Sequence, residues 1–486
     1  MTKELRNTIT VSRKEEIIDL LIFLILSLLS AALTLGSFQE VTDPVEFYNG
    51  FVLLGHFFSY RLDAAMDLPL FLPLVLIDAG LSALFVYRRY QVSRTFLSRR
   101  ILAVVVVLVL LRFVTDFAFP YGNVAFAYQS GGDAPLTELV YSGFSVRERI
   151  ISFVLEQLYL LYFALAFQYV PTFSDLFDKV TDGFLVFFIL LACVMTFYTY
   201  GVSSKAIIGN LKALFIDSSL PVDSSIQSFT SNRNAYGFFL LLGGISALVL
   251  GIRKPTYAPI FLVLMTYFTF TAYYVKTRTA FFLLLALLVL SLGYFALIHG
   301  RKNVSYLILF VLSLVGIVIF FTSSFFSTQV EKLIDLYQDP GTMQARLNLN
   351  HRALAMLISP YLWLFGYGRI PFVSLYNAFG RAISQQQYWS SHNAFLDVLL
   401  SYGLVGLAGP LIANLRLVRE LLLTLKRHDL RPLGFLVILA EMLVYTFAEP
   451  RMLFGMDGTE ACLLFVLLFP ILRLTICPKI AAVKQA

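Results

Sequence analysis

A histidine lies where the longest polar segment of the chain meets an apolar stretch. His392 is followed by Asn393 and, one and a half helical turns later, by Asp397. An unperturbed imidazole titrates at about pH 6.5, so this side chain can take up or release a proton near neutral pH. Asp397 either holds the protonated ring or faces elsewhere. A hydrogen-bonded structural role for His392 is the alternative interpretation, and these residues alone leave both open.

Two arginines have the chemistry to bind an anion. Arg278 lies in the sequence KTRTA (276–280), with apolar residues on both sides. Arg346 opens a polar segment that ends in LFGYG (364–368), where the glycines predict a tight backbone turn. A guanidinium presents a fork of N–H donors that matches phosphate oxygens. The alternatives are a snorkelling side chain for Arg278 and a solvated loop charge for Arg346.

A third polar group precedes another apolar run. Asn232 is a good N-cap candidate, and capping is one interpretation of this group. The functional interpretation is that Asn232 and Asn234 hydrogen-bond sugar hydroxyls, with Arg233 as a further phosphate ligand. No group of His, Cys and carboxylate residues has metal-ligand spacing, and no nucleotide-binding fingerprint appears. The sequence therefore predicts neither a metal nor another cofactor.

The elements that must position these side chains are apolar helices. Hydrophobic residues make up 58% of the 486 positions and charged residues only 14%. This balance excludes a water-soluble domain, and a membrane-spanning helix needs about 20 apolar residues. We therefore predict an all-α, polytopic membrane protein with about twelve transmembrane helices. The apolar runs are 17–36, 68–87, 101–119, 150–170, 184–200, 235–252, 257–275, 280–298, 304–322, 393–415, 432–448 and 460–474.

Basic residues predict the orientation of these helices. Clusters follow the second, sixth, eighth and tenth runs, and all four fall on one side if the spans alternate. Cytoplasmic loops are enriched in Lys and Arg, so this side is predicted to be the cytoplasm, with both the N and C termini on it. The clusters are Arg88, Arg89, Arg94, Arg99 and Arg100; Arg253 and Lys254; Arg301 and Lys302; Arg416, Arg419, Lys426, Arg427 and Arg431.

The same orientation predicts three parts of the chain. Residues 1–322 form nine N-terminal transmembrane helices, residues 323–391 a large external segment, and residues 392–486 three C-terminal transmembrane helices. A segment of that length in a compact protein usually has a function. Within the third and tenth runs, Arg112 is expected to pair with Asp116, and Gly403 belongs to a repeat of glycines that favours close helix packing.

Four motifs resemble the O-antigen ligase and Wzy-type polymerase superfamily. The sequence SHNAFL (391–396), followed by YGLVG (402–406), is similar to its His-Asn signature with a later Gly-Leu-hydrophobic-Gly. KTRTA is similar to its Ser/Thr-Arg-small motif. Arg346 followed by LFGYG resembles its arginine-opened external loop. NRN (232–234) resembles its Asn-Pro-Asn element, with arginine in place of proline. The resemblance covers mainly residues 230–410.

The resemblance implies a GT-C-like membrane glycosyltransferase in the bacterial cytoplasmic (inner) membrane. The substrate would be an undecaprenyl-diphosphate-linked oligosaccharide at the external face, with no metal or other cofactor. Arg278 and Arg346 would stabilise the leaving diphosphate, and His392 would deprotonate or orient the acceptor hydroxyl. The expected substrate-binding residues are Asn232, Arg233, Asn234, Arg352, Asn393 and Asp397.

Several functions remain open at this point. A polymerase of O-antigen, capsule or exopolysaccharide repeat units is favoured by two features. The chain is long, and Arg233 stands where the common Asn-Pro-Asn pattern has proline. An O-antigen ligase would transfer the glycan to lipid A-core instead. Twelve helices also suit a lipid-linked oligosaccharide flippase or other transporter. The two halves of a transporter sequence should be related, and the two halves of this sequence are not. Besides the lipid bilayer, a chain-length regulator and a flippase are expected partners; nucleic acid is not.

Overall fold

The computed structural model describes most of the predicted helices and part of the segments between them. The described residues are 13–35, 71–93, 97–114, 117, 123–128, 137–142, 146–215, 228, 233–275, 277–299, 304–322, 343–357, 360–366, 393–425, 430–448 and 463–475. The elements in chain order are α1 (Arg13–Leu35), α2 (Phe71–Ser93), α3 (Arg99–Phe113), β1 (Asn123–Tyr128), β2 (Thr137–Ser142), α4 (Val146–Tyr169), α5 (Asp175–Val202), α6 (Ser204–Phe215), α7 (Arg233–Arg253), α8 (Ala258–Val275), α9 (Arg278–His299), α10 (Val304–Thr322), α11 (Met343–Met356), α12 (Pro360–Phe365), α13 (Ala394–Leu425) and α14 (Arg431–Ala448), followed by a last helical segment over 463–475.

The described residues are nearly all helical, and each of the twelve predicted apolar runs overlaps a helix. This confirms the helical membrane architecture. Four helices within these ranges are long and apolar enough to cross a membrane by length and composition, and two further apolar helices are shorter. The number of twelve spans stays a prediction. The four are Asp175–Val202, Tyr236–Arg253, Pro255–Val275 and Arg278–Ile298, and the shorter two are Val304–Val315 and Phe465–Thr475.

A β-hairpin departs from the all-helical prediction. Strands β1 and β2 pair antiparallel, with Asn123 opposite Ser142 and Tyr128 opposite Thr137. Both strands fall between the third and fourth apolar runs, where the alternation of spans predicts an external location. In β1, Val124, Phe126 and Tyr128 occupy every second position, a pattern that favours a pleated chain. The run is too short to be recognised by the length criterion for membrane helices.

Helix α7 lies at the centre of the bundle. Its apolar window is 94% buried by protein, against 39% for those of α5 and α9. It contacts α5, α8, α9 and α14. Near one end of α14, a Cβ at Gly434 would lie 2.5 Å from Cδ1 of Ile252, and near the other end Tyr445 contacts Phe238 at 5.8 Å between ring centroids. Helices α7 and α14 are therefore antiparallel.

Two of the predicted basic clusters meet around the start of α5. Asp19 of α1 pairs with Arg88 at 2.6 Å and with Arg89 at 3.1 Å. The Arg89 guanidinium lies 4.8 Å from the ring centroid of Phe173, just before α5. Burying a charge is costly unless it is paired, and Arg89 has the Asp19 carboxylate and the Phe173 ring face as neighbours.

The second cluster, Arg253 and Lys254, reaches the same place from the end of α7, and Arg473 of the last helical segment joins it there. Asp178 accepts from Nη2 of Arg253 at 2.8 Å and from Nε of Arg473 at 3.1 Å. Arg473, which is 8% exposed, also donates to the backbone carbonyls of Phe173 and Ser174. Asp182 extends the network by pairing with Arg253 at 2.7 Å. Basic residues from distant parts of the chain thus share one end of the bundle; its cytoplasmic location stays a prediction.

We predict that Asp178→Asn lowers the free energy of unfolding of the detergent-solubilised protein by about 1–3 kcal/mol, because it leaves two guanidinium groups without their shared carboxylate. Thermal unfolding followed by circular dichroism measures the change. Asp175→Asn is the matched control: its carboxylate is fully exposed and lies 3.9 Å from Arg473. Equal effects of the two substitutions would show that the Asp178 network does not stabilise the bundle.

Candidate functional site

Arg278 begins α9 directly after a tight turn. The backbone N–H of Thr277 donates to the carbonyl of Ala272 at 3.1 Å, and its hydroxyl donates to the same carbonyl at 3.2 Å. The carbonyl of Thr277 then accepts from the N–H of Phe281 at 2.9 Å and starts the new helix. Thr277 is 1% exposed, whereas Arg278 is exposed. The turn therefore buries its threonine and presents its arginine beside the N-terminus of a helix, where an anion is favoured.

The start of α7 lies against this turn. A Cβ at Gly237 would lie 2.9 Å from Cβ of Thr277 and 2.9 Å from Cβ of Ala280. Only glycine permits the two helices to approach this closely without a shift. Arg233 and Asn234 begin α7 about one turn before Gly237, so the structure brings the backbone of this polar group close to the Arg278 turn. Asn232 lies outside the described residues, as do the side chains of Arg233 and Asn234.

Asn393 starts α13 as its N-cap. Its Oδ1 accepts from the N–H of Phe395 at 3.1 Å and from that of Leu396 at 3.3 Å. The N–H of Asp397 donates to the carbonyl of Asn393 at 3.0 Å, which closes the first turn. Asn393 is 9% exposed and Asp397 is half-buried. The motif therefore fixes the helix start that directly follows His392, a residue outside the described ranges.

Helix α13 breaks at Gly403, which has φ 63° and ψ −165°. A Cβ there would lie 2.2 Å from the carbonyl oxygen of Leu364 and 2.4 Å from the nitrogen of Phe365. The end of α12 thus rests on the α13 backbone itself. Gly366 ends α12 with φ 69°, and its N–H donates to the carbonyl of Leu362 at 2.8 Å. This is the turn that the glycines of LFGYG predicted.

Helix α11 carries Arg346 and Arg352 and also contacts α13. Both are helical positions whose side chains lie outside the description. The buried residues Leu349, Ala353 and Met356 form a stripe with helical spacing, and this stripe anchors α11 in the bundle. The segment that contains α11 and α12 is therefore partly helical and packs against the helix that follows His392.

Two aromatic contacts of α14 place these parts at one end of the bundle. Tyr445 lies against Phe238, the neighbour of Gly237, at 5.8 Å between ring centroids. Phe447 lies against Phe395, two positions after Asn393, at 4.5 Å. The Arg278 turn and the Asn393 cap therefore flank the same end of α14. This bridge was not predictable from the sequence, because α14 carries no polar motif.

Arg112 of α3 also reaches α13. Its guanidinium carbon lies 3.2 Å from the ring centroid of Tyr402, the residue before the helix break. A cation over an aromatic face is stabilised by the ring quadrupole. The i,i+4 spacing predicts a pair with Asp116, which lies outside the described residues. The aromatic residue of YGLVG was the available signal for this contact. Among the described residues, no group of three His, Cys, Asp or Glu side chains could hold a metal ion.

A helical bundle with several apolar membrane-crossing helices and an arginine-containing polar end defines a multi-pass membrane protein. Residues 260–411 match the family model described as O-antigen ligase (Wzy_C). This match confirms the resemblance to the O-antigen ligase and Wzy-type polymerase superfamily. It includes Arg278, Arg346, Arg352, His392 and Asn393 and excludes the NRN sequence. No curated protein and no solved structure matches the chain.

We predict that Gly403→Ala destabilises the protein by about 1–3 kcal/mol, since the new methyl group overlaps the peptide between Leu364 and Phe365 and the backbone conformation is strained for alanine. The midpoint of thermal unfolding measures the effect. Gly409→Ala on the same helix is the control, because its Cβ would lie 3.6 Å from Leu108, an ordinary contact distance. An unchanged midpoint for Gly403→Ala would contradict the described contact with α12.

Proposed function

We propose that the protein is a membrane glycosyltransferase that polymerises undecaprenyl-diphosphate-linked oligosaccharide repeat units into O-antigen, capsule or exopolysaccharide at the external face of the membrane. The observation that carries this proposal is the common location of the Arg278 turn and the Asn393 cap beside one end of α14. The match to the O-antigen ligase family supports the reaction class.

The reaction needs groups that stabilise a leaving diphosphate. The bond between the anomeric carbon and a diphosphate oxygen breaks, and the same carbon bonds the acceptor hydroxyl oxygen. Negative charge then increases on the diphosphate, where Arg278 and Arg346 donate hydrogen bonds. Arg278 suits this role because it is exposed at a helix N-terminus. His392 takes or orients the proton of the acceptor hydroxyl.

The other predicted site residues bind the glycan or its carrier. Asn232, Arg233 and Asn234 precede or begin α7, and the position of α7 against the Arg278 turn supports a shared site with them. Arg352 on α11 is a further carrier-binding candidate. Asn393 and Asp397 form the first turn of α13, and their proposed role is to position His392 and to contact sugar hydroxyls. In this scheme two arginines provide the positive charge, so catalysis is independent of metal ions.

The cellular setting follows from the same proposal. The protein lies in the bacterial cytoplasmic (inner) membrane with about twelve spans in a GT-C-like arrangement, and both termini are cytoplasmic. Residues 1–322 and 392–486 form the membrane part, and residues 323–391 form the external segment. A flippase supplies the lipid-linked substrate, and a chain-length regulator is a further partner. O-antigen ligase activity towards lipid A-core is the second candidate function, because the matched family has that description.

The experiment that tests the proposal is a glycan size profile. Bacterial cells that lack the gene are complemented with the wild-type protein or with His392→Ala, and lipid-linked and surface glycans are separated by gel electrophoresis. We expect the variant to accumulate single repeat units on the carrier lipid, because proton transfer from the acceptor is lost. Immunoblotting of membranes checks that both proteins are present in equal amounts.

The alternative outcomes distinguish the other functions. Long chains retained on the carrier lipid would indicate a ligase, and repeat units that never reach the external face would indicate a flippase. A profile identical to that of the wild type would show that His392 is structural, and the proposed mechanism would then be wrong.

We predict that Arg278→Ala lowers polymer formation by about 100-fold or more, since a donor to the leaving diphosphate is removed. Arg278→Lys should retain part of the activity, because the charge remains while the fork of donors is lost. Lys205→Ala serves as the control, because it removes an exposed positive charge from the start of α6, outside the family match. Polymer formation by membranes with added lipid-linked substrate gives the rates. Normal product from Arg278→Ala would remove this residue from the site.

A further inference from the structure

Two consecutive residues near the end of α4 fix two other helices at one point. Oε1 of Gln168 accepts from the backbone N–H of Ser98 at 2.8 Å, and the Ser98 hydroxyl caps α3 by accepting from the N–H of Ile101 at 3.4 Å. The ring of Phe167 lies under the guanidinium of Arg416 in α13, with 5.2 Å between the guanidinium carbon and the ring centroid. The start of α3 and the later part of α13 are therefore held side by side.

Positive charge accumulates where these helices meet. We define the basic cluster as Arg100 of α3 with Arg416 and Arg419 of α13. Arg100, Arg419 and Glu420 all lie close enough to Arg416 to interact with it electrostatically. The three arginines and the one glutamate leave an excess of positive charge. Arg100 and Arg419 are exposed, and neither has an acidic group within ion-pair distance in the part of the chain described here. The N-terminus of α3 adds partial positive charge.

The basic cluster lies far from the candidate glycan site. Arg416 follows Asn393 along α13 by a distance of about 34 Å, at roughly 1.5 Å per residue, somewhat shortened by the break at Gly403. The hydrocarbon core of a membrane is about 30 Å thick. This separation is large enough to carry the basic cluster to the opposite membrane surface from Asn393, as the predicted tenth span requires.

Exposed apolar side chains extend from the basic cluster along both helices. Residues of α3 and α13 between the cluster and the middle of the bundle have 39–59% of their surface exposed. In a membrane such faces contact acyl chains. The exposed residues are Leu102, Val106 and Leu110 on α3 and Leu411, Ile412 and Leu415 on α13.

We propose that the basic cluster binds the phosphate of an anionic phospholipid in the leaflet opposite the glycan site. Guanidinium groups donate to phosphate oxygens, and basic pockets between transmembrane helices are suited to such headgroups. The apolar faces of α3 and α13 receive the acyl chains, which favours a lipid over a soluble phosphate. The bound lipid links the helix of Arg112 to the helix of Asn393. This proposal does not depend on which glycan reaction the protein catalyses.

Native mass spectrometry of the purified full-length protein in detergent tests the proposal. The protein is titrated separately with phosphatidylglycerol and phosphatidylcholine. We expect preferential binding of phosphatidylglycerol, and a loss of about 25-fold in its affinity for Arg100→Gln/Arg419→Gln, since each basic residue contributes about fivefold. The control Lys14→Gln/Lys179→Gln removes two exposed positive charges elsewhere and should bind as the wild type does.

Three outcomes would overturn the proposal. Equal losses in both double variants would attribute binding to overall charge. Equal affinity for the two lipids in the wild-type protein would exclude headgroup recognition. Displacement of the lipid by soluble glycerol phosphate at a similar concentration would assign the cluster to free phosphates. If the double variant does not fold, as judged by circular dichroism, Arg419→Gln alone replaces it, with an expected loss of about fivefold.

Discussion

Close approach of helix backbones at glycines determines where the candidate site lies. At Gly237 the absence of a side chain lets α7 touch the Arg278 turn, and at Gly403 it lets α12 touch α13. Inside a membrane the lipid is as apolar as leucine, so helices associate through tight packing rather than through the hydrophobic effect. A methyl group at either position would separate two elements that carry polar motifs. The backbone contacts thus determine how the helices are arranged, and the helices in turn determine where the polar side chains lie.

Helix α14 joins the two halves of this arrangement without contributing a polar motif of its own. Tyr445 packs near the glycine contact of α7, and Phe447 packs near the cap of α13. Aromatic pairs provide large contact areas with preferred geometries, which suits them to fixing helix ends relative to each other. The distance between the Arg278 turn and the start of α13 is therefore maintained by a helix that has no catalytic motif.

The helical architecture was predictable because apolar runs of membrane length can be recognised directly, and the KTRTA turn was predictable because polar residues interrupt them. The break at Gly403 was not, since glycines at regular spacing in an apolar run indicate close helix packing and do not show which of them interrupts the helix. The contact of Arg112 with Tyr402 was also missed, because helical spacing suggests only partners on the same helix. The hairpin of β1 and β2 was missed because its signal is short. For His392 and Asn232, and for the side chains of Arg233, Asn234, Arg346 and Arg352, the predictions from sequence remain predictions.

The shared carboxylate of Asp178 also has a consequence for biosynthesis. Arg253 follows it by 75 positions and Arg473 by 295. At a translation rate of about 5–20 residues per second, the first arginine is made roughly 4–15 s after the aspartate and the second roughly 15–60 s after it. Asp178 is therefore neutralised in two steps during synthesis, first by α7 and then by the last helical segment. Docking of that segment completes the network, so this end of the bundle reaches its final charge balance only after Arg473 has been translated.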